Sequence, residues 1–437
     1  MSLNKMANSK NPIRVFEHEC LCVHKGEDKL LPEQLKSFQI FYGEKGVPYY
    51  KLIHNGIQFN EYVGVIKVGD LTVEVLPKAD KSEDKALWQK TLINMLKTVG
   101  VFNIHAPTSS TLQLKSNSIL DLYFELFINE IEYLIHSGLI KKYRKVERNA
   151  LALKGAINFG KHIQKNLVHQ ERFYVRQTVY DLDHKIHQLL YKTIRLIRTI
   201  NTNSILTSRL GALELNFPEV SDCNVSESFF TNFQYTRKTE PYKNALEIAH
   251  LLLFNYHPDV SSGNTDLLAL MFDMNLLWEQ YVYVSLRKEL RNGYTISPQS
   301  RKKFWKPDNG YNSTMIPDIV INKDKENCIV LDTKWKNLNG KNPNPEDLRQ
   351  LYVYKKYFSA TKVALVYPGE MFSINGGKYY TEKSNEVSND QCSVITLSID
   401  HDSKNSIVQI APLIQDFIEK VLRDQRLLQH NQVAFYN

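Results

Sequence analysis

Met315-Ile316-Pro317-Asp318-Ile319-Val320-Ile321-Asn322, followed after a polar turn by Cys328-Ile329-Val330-Leu331-Asp332-Thr333-Lys334-Trp335-Lys336, is the stretch from which the rest of the chain is read. Both runs are rich in β-branched residues, which suit a pleated, half-buried surface, and the charged Lys323-Asp324-Lys325-Glu326-Asn327 between them is turn-forming. Together they read as a strand hairpin. Successive strand side chains point to opposite faces, so Asp332 and Lys334 share one side and Thr333 takes the other. With Asp318 across from them, two carboxylates and an ammonium converge at one end of a rigid ribbon. Metal-dependent phosphodiester hydrolysis needs such a set: acidic oxygens to hold Mg²⁺, and a cation beside the attacking water or the phosphate.

An Asp and a Lys on one strand face often do no more than solvate it, so the surroundings decide. Pro258-Asp259 and Pro307-Asp308 sit in loop-like sequence, whereas Pro317-Asp318 opens an apolar strand. Glu27-Asp28-Lys29 and Glu83-Asp84-Lys85 lie in polar sequence, whereas Asp332-Thr333-Lys334 ends an apolar run.

Outward from the hairpin, residues 272–290 read as a helix with Leu276, Leu277, Tyr281, Val284 and Leu286 as core and Glu279 among them. A carboxylate on an apolar helix face is costly to bury unless paired or bound to a cation, so Glu279 is either a third metal-site acid or a solvent-facing neighbour of Gln280. Downstream, an Asn-, Gly- and Pro-rich loop over 337–344 precedes a helix opened by Pro345-Glu346-Asp347, on which Gln350 and Tyr354 share a face. Strands over 362–367 and 393–399 and an amphipathic helix over 413–427 complete an α/β sheet packed between helices.

The 437 residues exceed what one core supports, and the chain reads as three domains: a β-rich module over 1–115, a mainly helical region over 116–265 and the α/β domain over 266–437. Strand-like runs over 14–23, 49–53, 62–68 and 71–76, the last two joined by Gly69-Asp70, define the first; helical periodicity over 120–135, 183–200 and 245–256 defines the second. The first module has no catalytic grouping of His, Cys, Asp or Glu and reads as a binding module. His184 and His187 read as a surface or capping feature. Five scattered cysteines (Cys20, Cys22, Cys223, Cys328, Cys392) without a CxxC pair read as core thiols. Neither a membrane-length apolar run nor a signal-peptide apolar stretch is present, which points to a cytoplasmic protein without a membrane partner. The net charge of +8 is unevenly placed: residues 141–176 hold ten Lys/Arg against two Glu, interleaved with Tyr143, Phe159, Phe173 and Tyr174. That stretch suits phosphates no better than it suits a solvated basic face or one that meets an acidic partner protein.

Pro-Asp opening one strand, Asp-x-Lys ending the next and Gln350-x-x-x-Tyr354 on the following helix resemble the PD-(D/E)xK nuclease superfamily and its RecB-like members. Further blocks widen the likeness: Tyr62-Val63-Gly64-Val65-Ile66, Val73-Glu74-Val75-Leu76-Pro77-Lys78, Gly138-Leu139-Ile140-Lys141-Lys142-Tyr143, Leu153-Lys154-Gly155, Gln170-Glu171-Arg172-Phe173 and Tyr180-Asp181-x-Asp183-His184. With these, most of the chain resembles the McrC subunit of McrBC-type, 5-methylcytosine-specific restriction systems. The resemblance implies an Mg²⁺-dependent DNA endonuclease subunit, with Mn²⁺ able to substitute. Its partners would be a McrB-like hexameric AAA+ GTPase, which uses the GTP and recognises modified cytosine, and double-stranded DNA. Asp318 and Asp332 carry over as metal ligands, Lys334 as the residue that polarises water or steadies the transition state, and Gln350 and Tyr354 as accessory residues. The alternative is a non-catalytic adaptor that activates an AAA+ NTPase and binds DNA. The loop after Trp335 and the insertion-like stretch 373–390 have no counterpart in the pattern.

Overall fold

The computed structural model describes residues 12–24, 26, 28–79, 83–99, 118–257, 267–290, 294–325, 327–381, 384 and 386–398. The chain is a mixed α/β protein with several sheets and ten α-helices among these residues. They form two compact units: Ile66–Thr72 with the described part of Asn103–Leu270, and the described parts of Ile13–Val65, Val73–Phe102 and Met271–Asn437. N-terminal strands and the C-terminal third of the chain therefore share a unit.

That shared unit is built on a six-stranded sheet in the order Ile296–Pro298, Ile319–Ile321, Ile329–Thr333, Lys362–Gly369, Val387–Ser398, Ser373–Tyr380. The first two strands run antiparallel to their neighbours, Ile329–Thr333, Lys362–Gly369 and Val387–Ser398 are mutually parallel, and Ser373–Tyr380 closes the far edge antiparallel. The central strands are buried on both faces, which is why they read as unbroken apolar runs. Helix Pro345–Tyr357 makes the parallel crossover and sets Leu351 and Tyr354 into a core with Val330, Val363 and Leu365. Its start is fixed by Asn344, whose side chain accepts from the Glu346 amide, and by Pro345, whose missing N–H costs nothing in the first turn.

The hairpin is shorter than its apolar pattern: the strands are Ile319–Ile321 and Ile329–Thr333, while Met315 ends a separate ribbon, Ser313–Met315 paired with Lys302–Trp305. Pro317 has no amide to give a ladder, which accounts for the break. The strand starting at Lys362 continues through Pro368 and Gly369, and the apparent insertion over 373–390 supplies an edge strand and the start of its partner. The run over 14–23 divides into Ile13–Phe16 and Cys20–Cys22 at a turn where His18 takes a positive φ. Ile13–Phe16 pairs parallel with Leu71–Leu76, and a three-stranded sheet of Cys20–Cys22, Gly56–Phe59 and Tyr50–Ile53 lies nearby in sequence. Cys20 is exposed and Cys22 half-exposed, so only Cys223, Cys328 and Cys392 are core thiols. The helix read over 413–427 lies outside the described residues.

In the other unit the helices Ile119–Ser137, Lys185–Ile200 and Lys243–Phe254 follow their apolar periodicity, and Ser204–Asn216 and Glu227–Asn232 are added between them. The basic stretch is the exception within this mainly helical region. Lys142–Ala150 and Phe173–Asp181 form an antiparallel ladder, with Ala156–Ile157 as a third strand and the short helix Phe159–Asn166 packed beside it. Val146, Val175, Thr178 and Val179 favour strand, while the dense cations mask the alternation. His184 and His187 are not surface groups: His187 is fully buried, its ring nitrogens contacting the Leu182 carbonyl at 2.7 Å and the Tyr242 hydroxyl at 3.1 Å. No described helix is long and apolar enough to cross a membrane.

Candidate active site

In the antiparallel ladder Ile319 faces Leu331 and Ile321 faces Ile329, so one step further Asp318 faces Asp332. Asp318 Oδ2 accepts from the Thr333 amide at 2.6 Å and from its hydroxyl at 2.8 Å. Two donors on one oxygen fix the carboxylate and leave Oδ1 free of them. The Lys334 amide donates to the Val366 carbonyl at 3.0 Å, which holds the end of the strand flat against its parallel neighbour. From there Lys334 Nζ reaches back to 2.8 Å from Asp332 Oδ2, confirming that the two side chains share a side.

Asp332 is 1% exposed. Its Oδ2 is buried without a hydrogen-bond partner; the Lys334 contact is an ion pair and not an aligned hydrogen bond. A carboxylate oxygen out of water with one ammonium for company is under-satisfied. Burial, and then the charge of Asp318, raise the Asp332 carboxyl above its usual range, against the opposing pull of Lys334. Burial alone would lower the Lys334 ammonium, but Asp332 and Asp318 outweigh it and hold it above its usual range.

Glu279 comes from the helix Met274–Glu289, whose start is set by Asp273 accepting from the amides of Asn275 and Leu276. It is 9% exposed, which removes the solvent-facing alternative; Gln280 and Leu276 are the exposed residues of that turn. Burial first, then the charge of Asp318 and, more weakly, Asp332, push the Glu279 carboxyl up to about 7. Gln299, held at positive φ, donates through its side chain to Glu279 Oε1 at 3.2 Å and through its amide to the Asp318 carbonyl at 2.8 Å. One residue thereby ties the third acid to the strand that carries the first.

Gln350 Nε2 donates to the Tyr354 hydroxyl at 2.7 Å, and that hydroxyl donates to the Ile316 carbonyl at 3.4 Å. The pair braces the segment leading into Pro317-Asp318; the structure shows no hydrogen bond from either to the carboxylates. Sequence reasoning missed several neighbours. Asp347, three residues before Gln350, accepts from Lys336 Nζ at 2.7 Å and from the Tyr367 hydroxyl at 3.4 Å. Helical spacing alone could have found it. The Trp335 ring lies 5.4 Å from that of Trp278, the neighbour of Glu279, with the planes tilted by 59°, and it donates through its indole to Glu17 Oε1 at 2.7 Å. Glu17 lies 318 positions away and no local signal points to it.

Among the described residues no three His, Cys, Asp or Glu side chains converge tightly enough to enclose a metal ion by themselves. The donors present still suit a hard cation. Mg²⁺ keeps several waters and uses one or two carboxylates, and the buried Asp332 carboxylate beside Asp318 meets that need. Soft or imidazole ligands are absent from this group, so it does not suit zinc.

Residues 57–368, well over half of the chain, match the family described as McrBC 5-methylcytosine restriction system component. No curated protein matches. Five solved chains do. One, from a refined half-complex of a tetradecameric assembly of Thermococcus gammatolerans McrB AAA+ hexamers with bound McrC, is 19% identical at a TM-score of 0.66, over 94% of this chain and 99% of that one. At that identity the likeness speaks for the fold. A second, from the Thermococcus gammatolerans McrBC complex, is 20% identical at a TM-score of 0.47, over 64% of this chain and 88% of that one. On the family match, which takes in Asp318, Asp332, Lys334, Gln350 and Tyr354 as well as the N-terminal blocks, the chain belongs to the McrBC 5-methylcytosine restriction system component family.

Proposed function

We propose that this chain is the McrC-type nuclease subunit of a modification-dependent restriction complex, an Mg²⁺-dependent DNA endonuclease that docks on a McrB-like AAA+ GTPase. The observation that carries the reading is the meeting of Asp318, Asp332, Glu279 and Lys334 at the carboxyl end of the strand Ile329–Thr333. Its sheet is then of the PD-(D/E)xK kind. Asp318 and Asp332 would hold the metal, with Glu279 as the third carboxylate and Mn²⁺ as an acceptable substitute. A metal bound there lowers the pKa of a ligated water and neutralises phosphate charge.

The chain's own residues do the rest. Thr333 orients Asp318 through two hydrogen bonds, so the carboxylate needs little reorganisation. Lys334 offers its ammonium to the attacking water or to a non-bridging phosphate oxygen, and Asp332 keeps it charged. Gln350 and Tyr354 hold the entry to Asp318 in place. The family description and the shared fold with an assembly of McrB AAA+ hexamers and bound McrC support the partner and the methylated substrate. GTP hydrolysis and recognition of the modified base would belong to that partner. In the complete complex, Asp332→Ala should abolish cleavage of methylated DNA while assembly and GTP hydrolysis persist; retained cleavage rules the site out.

The alternative, an adaptor that activates the GTPase, has its own support and is compatible with the first. On the helix Phe159–Asn166 and just beyond it, Phe159, Ile163 and Leu167 repeat every four residues and are 69%, 61% and 74% exposed. Leu151, Leu153 and Val168 are exposed close by in sequence. Apolar side chains gathered in this way mark a docking face.

A further inference from the structure

Beyond the carboxyl ends of the parallel strands Ile329–Thr333 and Lys362–Gly369, the chain leaves a cleft of about 630 Å³. One wall is the loop over 337–343, and the other is the turn after Gly369 with the start of the edge strand Ser373–Tyr380. Open parallel sheets bind ligands in this position, and the volume falls among small-molecule sites, which run to about 300–1,000 Å³.

Tyr367 links the cleft to the carboxylate centre. Tyr367, part of the cleft's lining, donates to Asp347, which also receives Lys336, and the tyrosine lies within the electrostatic reach of Asp332. Its near wall is fixed in advance. The Asn337 side chain donates to the Ala79 carbonyl and accepts from the Asn339 amide, and Trp335 two residues earlier is tied to Glu17. A loop held in this way loses little freedom when it binds.

The lining chemistry selects the ligand. Lys341 and Glu370 cancel, so the cleft lacks the cationic excess that a phosphate demands; the phosphate-seeking ammonium is Lys334, outside it. The lining has carboxamides instead. Asn342 and Asn375 make no side-chain hydrogen bond among the described residues, and both line the cleft, beside the half-buried Phe372 and the exposed Met371. Carboxamides offer a paired donor and acceptor, the pattern that matches a base edge, while aromatic and thioether groups provide a surface for a base plane.

We propose that this cleft binds one nucleobase of the DNA strand next to the scissile phosphate, giving the cutting step a local base preference of its own. This deepens the nuclease reading and rests on it. The test uses the full chain with its GTPase partner, comparing wild type with Asn342→Ala and Asn375→Ala. Loss of the paired contact should raise KM about ten-fold and even out the distribution of cut positions, with kcat unchanged. Unchanged KM and cut positions overturn the proposal while leaving the nuclease intact. A second arm needs no cleavage: DNA carrying 5-iodouracil is irradiated on the Asp332→Ala complex, and the linked peptide is mapped. Attachment within 367–375 or 337–343 supports the cleft, and attachment confined to other segments overturns it. If wild type never cuts, the nuclease reading fails and the cross-link alone decides the cleft.

Discussion

Replacing Glu279 by Gln separates a carboxylate kept for a cation from one kept for packing. Without metal, the folded chain holds Glu279 at about 7 against an ordinary 4.5, so between those values the folded state binds more protons than the unfolded one. Stability contributed through this group therefore falls as pH rises from about 4.5 to about 7 and stays low above. The gap of about 2.5 units corresponds to a penalty of at most about 4 kcal/mol at pH 8, since one unit is worth about 1.4 kcal/mol. Glu279→Gln keeps the shape and removes the charge. In chelator at pH 8 the variant should be more stable than wild type by a large part of that bound, and near pH 4.5 the two should converge. Mg²⁺ or Mn²⁺ should reverse the order, because a cation binding the native state stabilises it by mass action and wild type has one more carboxylate to hold it. Urea unfolding at several pH values, with chelator and with metal, reads both effects. Equal stability at pH 8 in chelator, or a gain that persists unchanged near pH 4.5, would refute the reasoning.

Glu17→Ala should lower kcat for metal-dependent cleavage with little change in KM, because it frees Trp335 beside Lys334, while Glu17→Gln keeps an acceptor for the indole and for the Lys78 amide and should restore much of the rate. A variant pair with equal activity would remove Glu17 from the positioning of the site. Ile163→Asp, at an exposed position, should leave thermal unfolding within about 0.5 kcal/mol of wild type yet weaken stimulation of the partner's GTP hydrolysis; undiminished stimulation argues against a docking role for that face.

What could be read in the sequence was local. Alternation placed Asp332 and Lys334 together, and the β-branched runs made the hairpin that brings in Asp318, because both are consequences of chain geometry over a few residues. Helical period likewise put Gln350 over Tyr354. Glu279 was ambiguous because one carboxylate among apolar neighbours does not say what faces it; only tertiary packing put Asp318 and Gln299 there. The basic stretch over 141–176 carried no strand reading, since its cations occupy both strand faces, and the edge strand Ser373–Tyr380 was hidden by Gly376 and Gly377, which weaken any strand signature.

The pattern of strain explains why these acids sit together. Glu279 and Asp332 are both raised by burial and by the charge of Asp318, and Asp332 keeps one oxygen without a hydrogen bond. A core selected for stability alone would replace such a group with apolar residues, which commonly costs nothing or gains stability. Lys334 compensates one carboxylate, which leaves the local balance negative, and among the described residues the donors on the Asp318 carboxylate come from Thr333. The residual negative charge is what a divalent cation and its phosphate would neutralise, so the arrangement is costly in the empty chain and favourable in the loaded one. Stability that rises with metal, and rises less when Asp318, Asp332 or Glu279 loses its charge, is the signature that would set a catalytic centre apart from a buried ion pair.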